Sequence, residues 1–254
     1  MSYVHGYAAR ESERLDDQAG TLVDLLHHDT VYPAGSRVLE AGCGVGSQTV
    51  ALVANSPDAQ FTSIDVSAAS LATARKRVTS DNVTFVESDL FRLEAEPFDH
   101  VFVCFVLEHL ANPFAALRRL ATLLKPGGTI TVIEGDHGSA YFHPESEPAD
   151  DAISCLVRLQ NGDANIGRRL YPLMVEAGFP NAIVSPRMVY VDASRPDLVD
   201  GFTHKTFTAM IEGVREPAIA NGLIDADRFD QGIADLVATE TFSYTFFKAV
   251  ATRD

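Results

Sequence analysis

The chain has 254 residues, with 35 acidic against 20 basic side chains and a formal net charge of -15. Hydrophobic residues make up 46% and charged residues 22%, ordinary for a globular chain long enough to build a core without disulfide or metal staples. The acidic balance disfavours nucleic acid and anionic membrane surfaces as partners, since both require a basic face.

The basic groups Arg75-Lys76-Arg77, Arg118-Arg119 and Arg168-Arg169 fall on expected helices and read as solvated surface. Cys43, Cys104 and Cys155 are an odd number without metal-type spacing. Cys43 and Cys104 read as small buried or ligand-lining residues in a reducing compartment, and no ligand cluster suggests a metal. Met1 to Arg10 lacks the apolar stretch of a secretory leader. No apolar run approaches the roughly 20 residues of a membrane helix. The expected location is the cytoplasm, with no membrane partner.

In chain order, Glu11 to Asp29 reads as an amphipathic helix with Leu15, Ala19, Leu22 and Leu26 on one face. Val31 to Gly35 breaks it, and Ser36 to Ala41 is the first strand. A helix follows through Ala54, stopped by Asn55-Ser56-Pro57. Phe61 to Asp65 is the second strand. Ser67 caps the next helix, which turns Leu71, Ala74 and Val78 inward. Val83 to Val86 and Phe98 to Phe105 are strands three and four, the latter apolar enough to be buried on both faces. Asn112-Pro113 opens a helix with Phe114, Leu117, Ala121 and Leu124 at core spacing. Lys125-Pro126-Gly127-Gly128 ends it as a turn, and Thr129 to Glu134 is strand five.

Five strand–helix alternations predict a doubly wound α/β fold whose strand C-termini share one ligand-binding edge. Further on, Ala149 to Gln160 and Ile166 to Ala177 read as helices and Ala182 to Val191 as a strand. Pro196 to Val237 is helical in character. Thr241 to Ala251 is a closing strand with Phe242, Tyr244, Phe246 and Val250 on one side.

The chemistry concentrates at Val38 to Gly46. A buried strand stops in a glycine-rich turn and runs into a helix, with an acidic residue just before the turn. Glycines let a backbone approach a ligand closely, and the helix offers its N-terminus. The spacing over Glu40, Gly42, Gly44 and Gly46 is E-x-G-x-G-x-G, whereas the dinucleotide fingerprint would need a glycine where Ser47 stands. This pattern resembles the first motif of class I S-adenosylmethionine-dependent methyltransferases.

Later segments resemble the same family in the same order: Asp65 ending strand two, Ser88-Asp89-Leu90 after strand three, Glu108-His109-Leu110 after strand four, and Lys125-Pro126-Gly127-Gly128 before strand five. Together they span Ser36 to Glu134. The resemblance implies a mostly parallel seven-stranded Rossmann-like sheet, S-adenosylmethionine as cofactor and S-adenosylhomocysteine as its product. It places Gly42, Cys43, Gly44, Ser88, Leu90 and Phe105 around the cofactor, with Asp65 on the ribose hydroxyls, Val66 against the adenine and Asp89 on its amino group. Asp65 is alternatively a helix cap, and Asp89 a loop cap.

A carboxylate at Glu40 attracts the cationic end of such a cofactor. Gln48 and Thr49 are candidates for its methionine portion, with core packing the alternative for Thr49.

The opening Tyr3-Val4-His5-Gly6-Tyr7, followed by Arg10-Glu11-x-x-Arg14-Leu15, resembles the Y-x-H-G-Y segment of a group of small-molecule methyltransferases. It implies an N-terminal helical lid over 1–30, with Tyr3 on the cofactor's carboxylate and His5 or Tyr7 at the acceptor. The domain proper is then 31–254, with cap insertions at about 138–165 and 192–240 shaping the pocket for a small-molecule acceptor. Asp136 to Pro144 reads as a pocket wall, and Arg168 as a carboxylate anchor or plain surface.

Methyl transfer is an in-line displacement that needs alignment first and a base second. His109, His137 and His5, with His143, are the candidate bases; His27, His28 and His204 read as bystanders. The expected assembly is a monomer or homodimer.

Competing readings are an NAD(P)-dependent oxidoreductase and a methyltransferase fold that binds the cofactor for another reaction such as cyclisation. Tyr244-x-x-x-Lys248 matches a dehydrogenase pair, but that pair needs a helix and the alternation there says strand. The D/N-P-P-Y/F motif of exocyclic-amine base methylation is absent after strand four.

Overall fold

The computed structural model describes residues 22–160 and 162–254. The strands are β1 (Arg37–Ala41), β2 (Gln60–Asp65), β3 (Val83–Glu87), β4 (Phe98–Cys104), β5 (Leu124–Gly135), β6 (Tyr141–His143), β7 (Ile183–Asp192) and β8 (Thr241–Thr252). The helices are α1 (Ser47–Asn55), α2 (Ala68–Arg77), α3 (Pro113–Leu123), α4 (Glu147–Leu159), α5 (Leu170–Glu176), α6 (Arg215–Ala220) and α7 (Ala226–Val237). Residues 22–27 are also helical.

The described residues fall into two compact units. The first comprises Val23–Gly135, Ile166–Arg187 and Phe246–Asp254. Its strands run β3-β2-β1-β4-β5-β8, parallel from β3 to β5, with β8 antiparallel to β5 and β7 paired to β8. The parallel register pairs Ala41 with Ile64 and with Val103, and Asp65 with Glu87. The carboxyl ends of four strands therefore lie along one edge.

Local chemistry explains the elements. The Ser67 hydroxyl accepts from the Ser70 N–H at 3.2 Å to start α2. Asn112 does the same for the Ala115 N–H at 2.9 Å, ahead of Pro113 in the first turn of α3. Leu39, Val101, Val103, Ile130 and Val132 on one face and Val38, Phe102 and Ile133 on the other are solvent-free, so β1, β4 and β5 are covered on both faces as parallel strands require.

The sequence placed Lys125–Gly128 in a turn, but β5 starts at Leu124 and runs through it. The Gly127 N–H donates to the Arg253 carbonyl and the Arg253 N–H to the Gly128 carbonyl, both at 2.8 Å, so the chain's far end turns these residues into strand. The ladder to β4 slips in register there.

The second unit comprises Asp136–Asn165 and Met188–Thr245, with Leu22 at its boundary. Here α4 packs against α7, and β6 pairs with the first residues of β8, Thr241 to Ser243. β6 makes eight strands among the described residues, one more than expected. The Phe202, Phe207, Phe242 and Tyr244 rings pack with centroids 4.8 to 6.0 Å apart. Pro196–Leu198, Val199–Thr208 and Ala209–Glu212 form one helical run, with π-type hydrogen bonding in the middle piece. No described helix is long and apolar enough to cross a membrane.

Candidate active site

The glycine turn after β1 is anchored from β2. The N–H groups of Gly42 and Cys43 both donate to the Ile64 carbonyl, at 2.8 and 2.9 Å. Gly42 has φ 83°, and a Cβ there would lie 2.4 Å from a Val106 methyl. Gly44 has φ 52°, and a Cβ there would meet nothing within 4 Å. The Val106 side chain presses on the backbone at Gly42, whereas Gly44 faces open space.

Asp65 ties this turn to the next element. Its Oδ2 accepts from the Gly44 N–H at 2.8 Å and its Oδ1 from the Ser67 N–H at 2.9 Å. A carboxylate offers about four lone-pair sites, so two remain for a ligand. Both sequence readings of Asp65, helix support and ligand carboxylate, are thus compatible. The neighbouring Val66 is 62% exposed. From α2, Arg77 donates to the Val45 carbonyl at 2.9 Å and the Ser47 hydroxyl at 2.6 Å, which makes it a clamp on the turn rather than solvated surface.

Glu40 lies elsewhere than its sequence reading implied. The side chain is buried beneath the turn, where Oε2 accepts from the Thr49 hydroxyl at 2.7 Å and the Ser63 hydroxyl at 2.6 Å. Oε1 has no hydrogen-bond partner among the described residues. Burial pushes the carboxyl up to about 7, against the pull of those two hydroxyls. Thr49 therefore supports Glu40 beneath the turn. The buried Cys43 thiol is pushed far up by the same desolvation and is no nucleophile.

Gln48 in the first turn of α1 is half-buried, and its Oε1 accepts from His27 Nε2 at 2.6 Å. His27 is 1% exposed with its ring 5.7 Å from that of Phe102. It was read as a bystander from sequence, and tertiary contact brings it to the site. His28 is exposed and its ring bonds to the Asp24 carbonyl one turn earlier, while half-buried His204 bonds to the Val237 carbonyl.

After β4, Phe105 adopts φ 56°, a strained value for a residue with a side chain. Its N–H donates to the Ile133 carbonyl at 2.9 Å, and its ring lies 5.5 Å from that of Phe246. The next two N–H groups, of Val106 and Leu107, donate to Glu134 Oε1 at 3.0 and 2.7 Å. Burial and the nearby Glu108 raise the Glu134 carboxyl well above the usual range. Glu134 is a site residue that sequence reading missed: the end of a buried strand carries no motif. His109 closes the short Leu107–His109 turn with Nε2 3.5 Å from Glu108 Oε1.

Asp89 accepts from the Phe91 N–H at 2.8 Å, as a loop cap does, and is exposed, with Ser88 half-buried beside it. Leu90 packs on the core. Thus Glu40, Gly42, Cys43, Gly44, Gln48, Asp65, Val66, Ser88, Asp89, Leu90, Phe105 and His109 all cluster at the carboxyl ends of β1 to β4.

His137 belongs to the second unit. Its Nδ1 lies 2.9 Å from the Tyr244 hydroxyl, with both side chains buried. Lys248 bonds instead to Asp29 and the Thr30 hydroxyl, each at 2.6 Å, so Tyr244 and Lys248 serve different partners and form no dehydrogenase pair. His143 is exposed on β6. Tyr3, His5 and Tyr7, with the opening segment they belong to, lie outside the described residues. Among the described residues no three His, Cys, Asp or Glu side chains group as metal ligands.

Residues 39–130 match the family model described as a methyltransferase domain. The chain is 36% identical over 126 residues to the trans-aconitate 2-methyltransferase of Methylobacterium nodulans, covering 49% of this chain and 48% of that protein. It is 36% identical over 110 residues to the S-adenosyl-L-methionine-dependent Diels-Alderase iccD of Talaromyces variabilis, covering 40% and 37%. Among solved structures, it resembles phosphoethanolamine N-methyltransferase 2 of Haemonchus contortus with TM-score 0.57 and 20% identity, over 92% of this chain and 52% of that one. The chain spans about half the length of the curated relatives it matches. The glycine turn, the carboxylate ending β2 and the sheet order agree with the match of residues 39–130 to a methyltransferase domain.

Proposed function

We propose that the chain binds S-adenosylmethionine and transfers its methyl group to an O, N or C nucleophile of a small molecule. The carrying observation is the open face of Gly44 beside Asp65, a carboxylate that fixes the turn and keeps lone pairs to spare. The residues fit the cofactor. Asp65 suits the ribose hydroxyls, exposed Val66 an adenine face, and Gln48 an amino-acid end. The unpartnered Oε1 of Glu40 adds acidic character beneath the turn. When bound, S-adenosylmethionine supplies a sulfonium-activated methyl group and is released as S-adenosylhomocysteine.

The protein's part is to align that methyl with the acceptor, which supplies much of the rate of an in-line displacement. Phe105, held in its strained conformation by the Ile133 carbonyl and the neighbouring Glu134 bonds, forms a rigid apolar wall at the end of β4. His109 and His137 are the proposed groups for taking a proton from the acceptor, His137 with its ring oriented by Tyr244. His5 and Tyr3 belong to the proposed lid over 1–30, and the segments at about 138–165 and 192–240 to the acceptor cap. The proposed setting is cytoplasmic, as a monomer or homodimer, without nucleic-acid, membrane or metal partners.

The likeness to a cofactor-dependent Diels-Alderase favours one second reading: the cofactor is bound but no methyl moves. Calorimetric titration with S-adenosylmethionine, S-adenosylhomocysteine and NAD tests the cofactor. Micromolar binding of the first two without NAD is expected; binding of NAD alone overturns the proposal. Formation of S-adenosylhomocysteine in an acceptor screen separates methyl transfer from cofactor binding without turnover.

A further inference from the structure

His27 touches α1 at both ends. Its backbone carbonyl accepts from the Asn55 side-chain amide at 2.8 Å, at the last residue of α1. Its ring Nε2 lies 2.6 Å from Gln48 Oε1, in the first turn of that helix. A carbonyl oxygen only accepts, so Nε2 carries the proton and Gln48 Oε1 is turned toward His27. The amide NH2 of Gln48 is thereby set the other way, at the glycine-turn end of α1. The His27 ring is buried against Phe102, and Nδ1 has no partner among the described residues. Burial lowers the imidazole to about 4, so it is neutral and keeps one N–H at physiological pH. A phenylalanine there could pack against Phe102 but would offer Gln48 no N–H.

We propose that His27 is a positioning residue that fixes the Gln48 amide as a hydrogen-bond donor to the carboxylate of the cofactor's amino-acid end. The inference rests on the cofactor reading above and adds to it a residue outside the family motifs. Donors to a charged carboxylate are strong, and a donor already held in place loses less entropy on binding.

The test is calorimetric titration of the full chain with S-adenosylhomocysteine and with methylthioadenosine, which lacks the amino-acid end. His27→Phe keeps the ring contact with Phe102 and the backbone bond to Asn55, and removes only the N–H. It should weaken S-adenosylhomocysteine by about tenfold and leave methylthioadenosine unchanged. His27→Gln, which restores a donor, should recover most of the loss. Gln48→Ala should match His27→Phe, and the double variant should lose no more than either. Equal weakening of both ligands means a merely structural role and overturns the proposal, as does unchanged affinity for S-adenosylhomocysteine. Wild-type protein that binds neither ligand removes the cofactor reading itself; wild-type binding with an indifferent His27→Phe variant removes only the role of His27.

Discussion

Alanine at Gly42 and at Gly44 should do opposite things, although both glycines sit in one turn with positive φ. The left-handed backbone costs an L-residue roughly 1–2 kcal/mol at either position. At Gly42 the new methyl also lands 2.4 Å from one Val106 methyl and 3.3 Å from the other. Val106 has little room to retreat, because its N–H is bonded to buried Glu134 and the preceding Phe105 is already strained. Overpacking of this kind adds about 1–3 kcal/mol, for a total of about 2–5 kcal/mol. At Gly44 nothing lies within 4 Å, so only the backbone term remains. The cost there appears in binding, since the methyl occupies the face offered to the ligand. Urea denaturation followed by circular dichroism, paired with titration of S-adenosylhomocysteine, reads both effects. Gly42→Ala should show much the lower midpoint. Gly44→Ala should keep most of its stability and lose at least about tenfold in affinity, equivalent to about 1.4 kcal/mol. Equal losses of stability, or full affinity in folded Gly44→Ala, would refute the division between packing glycine and cradle glycine.

Three other outcomes follow from the same geometry. Asp65→Ala should weaken S-adenosylmethionine by at least about tenfold in calorimetry, because the ribose acceptor and the bond to the Gly44 N–H are lost together; unchanged affinity in a folded variant removes Asp65 from the site. Burial raises the Glu40 carboxyl from 4.5 to about 7, so its folded form prefers the proton. Its contribution to stability is full below pH 4.5 and is lost as pH rises through about 7. Glu40→Gln should therefore flatten wild-type stability over that window by up to about 3 kcal/mol, read from denaturation midpoints across a pH series; identical pH profiles would contradict it. Glu134→Ala strands the Val106 and Leu107 N–H groups at about 1–3 kcal/mol for each buried donor, whereas Glu134→Gln keeps an acceptor and should melt closer to wild type. If the two variants melt alike, Glu134 does not hold the turn.

Hydrophobic run and punctuation made β1 to β5 and their helices legible, down to the caps at Ser67 and Asn112. They also located the glycine turn, Asp65, Phe105 and His109 at one sheet edge, because parallel βαβ winding fixes which strand ends share an edge. Roles carried by long-range contact were not legible. Arg77 read as surface because helix position does not reveal what lies beyond its tip. His27 read as a bystander because its partner Gln48 is 21 residues away and on another element. Glu134 carried no signal, since its partners lie 27 and 28 residues upstream in a loop.

The sequence by itself determined the winding of the parallel sheet, the glycine turn and the carboxylate at the end of β2, because each follows from local residue type and period. Tertiary structure alone decided that Glu40 lies beneath the turn on Thr49 and Ser63, that Lys125–Gly128 becomes strand against Arg253, and that Tyr244 pairs with His137. Those outcomes depend on which distant groups meet once the strands are in register, and a linear pattern holds no record of that meeting.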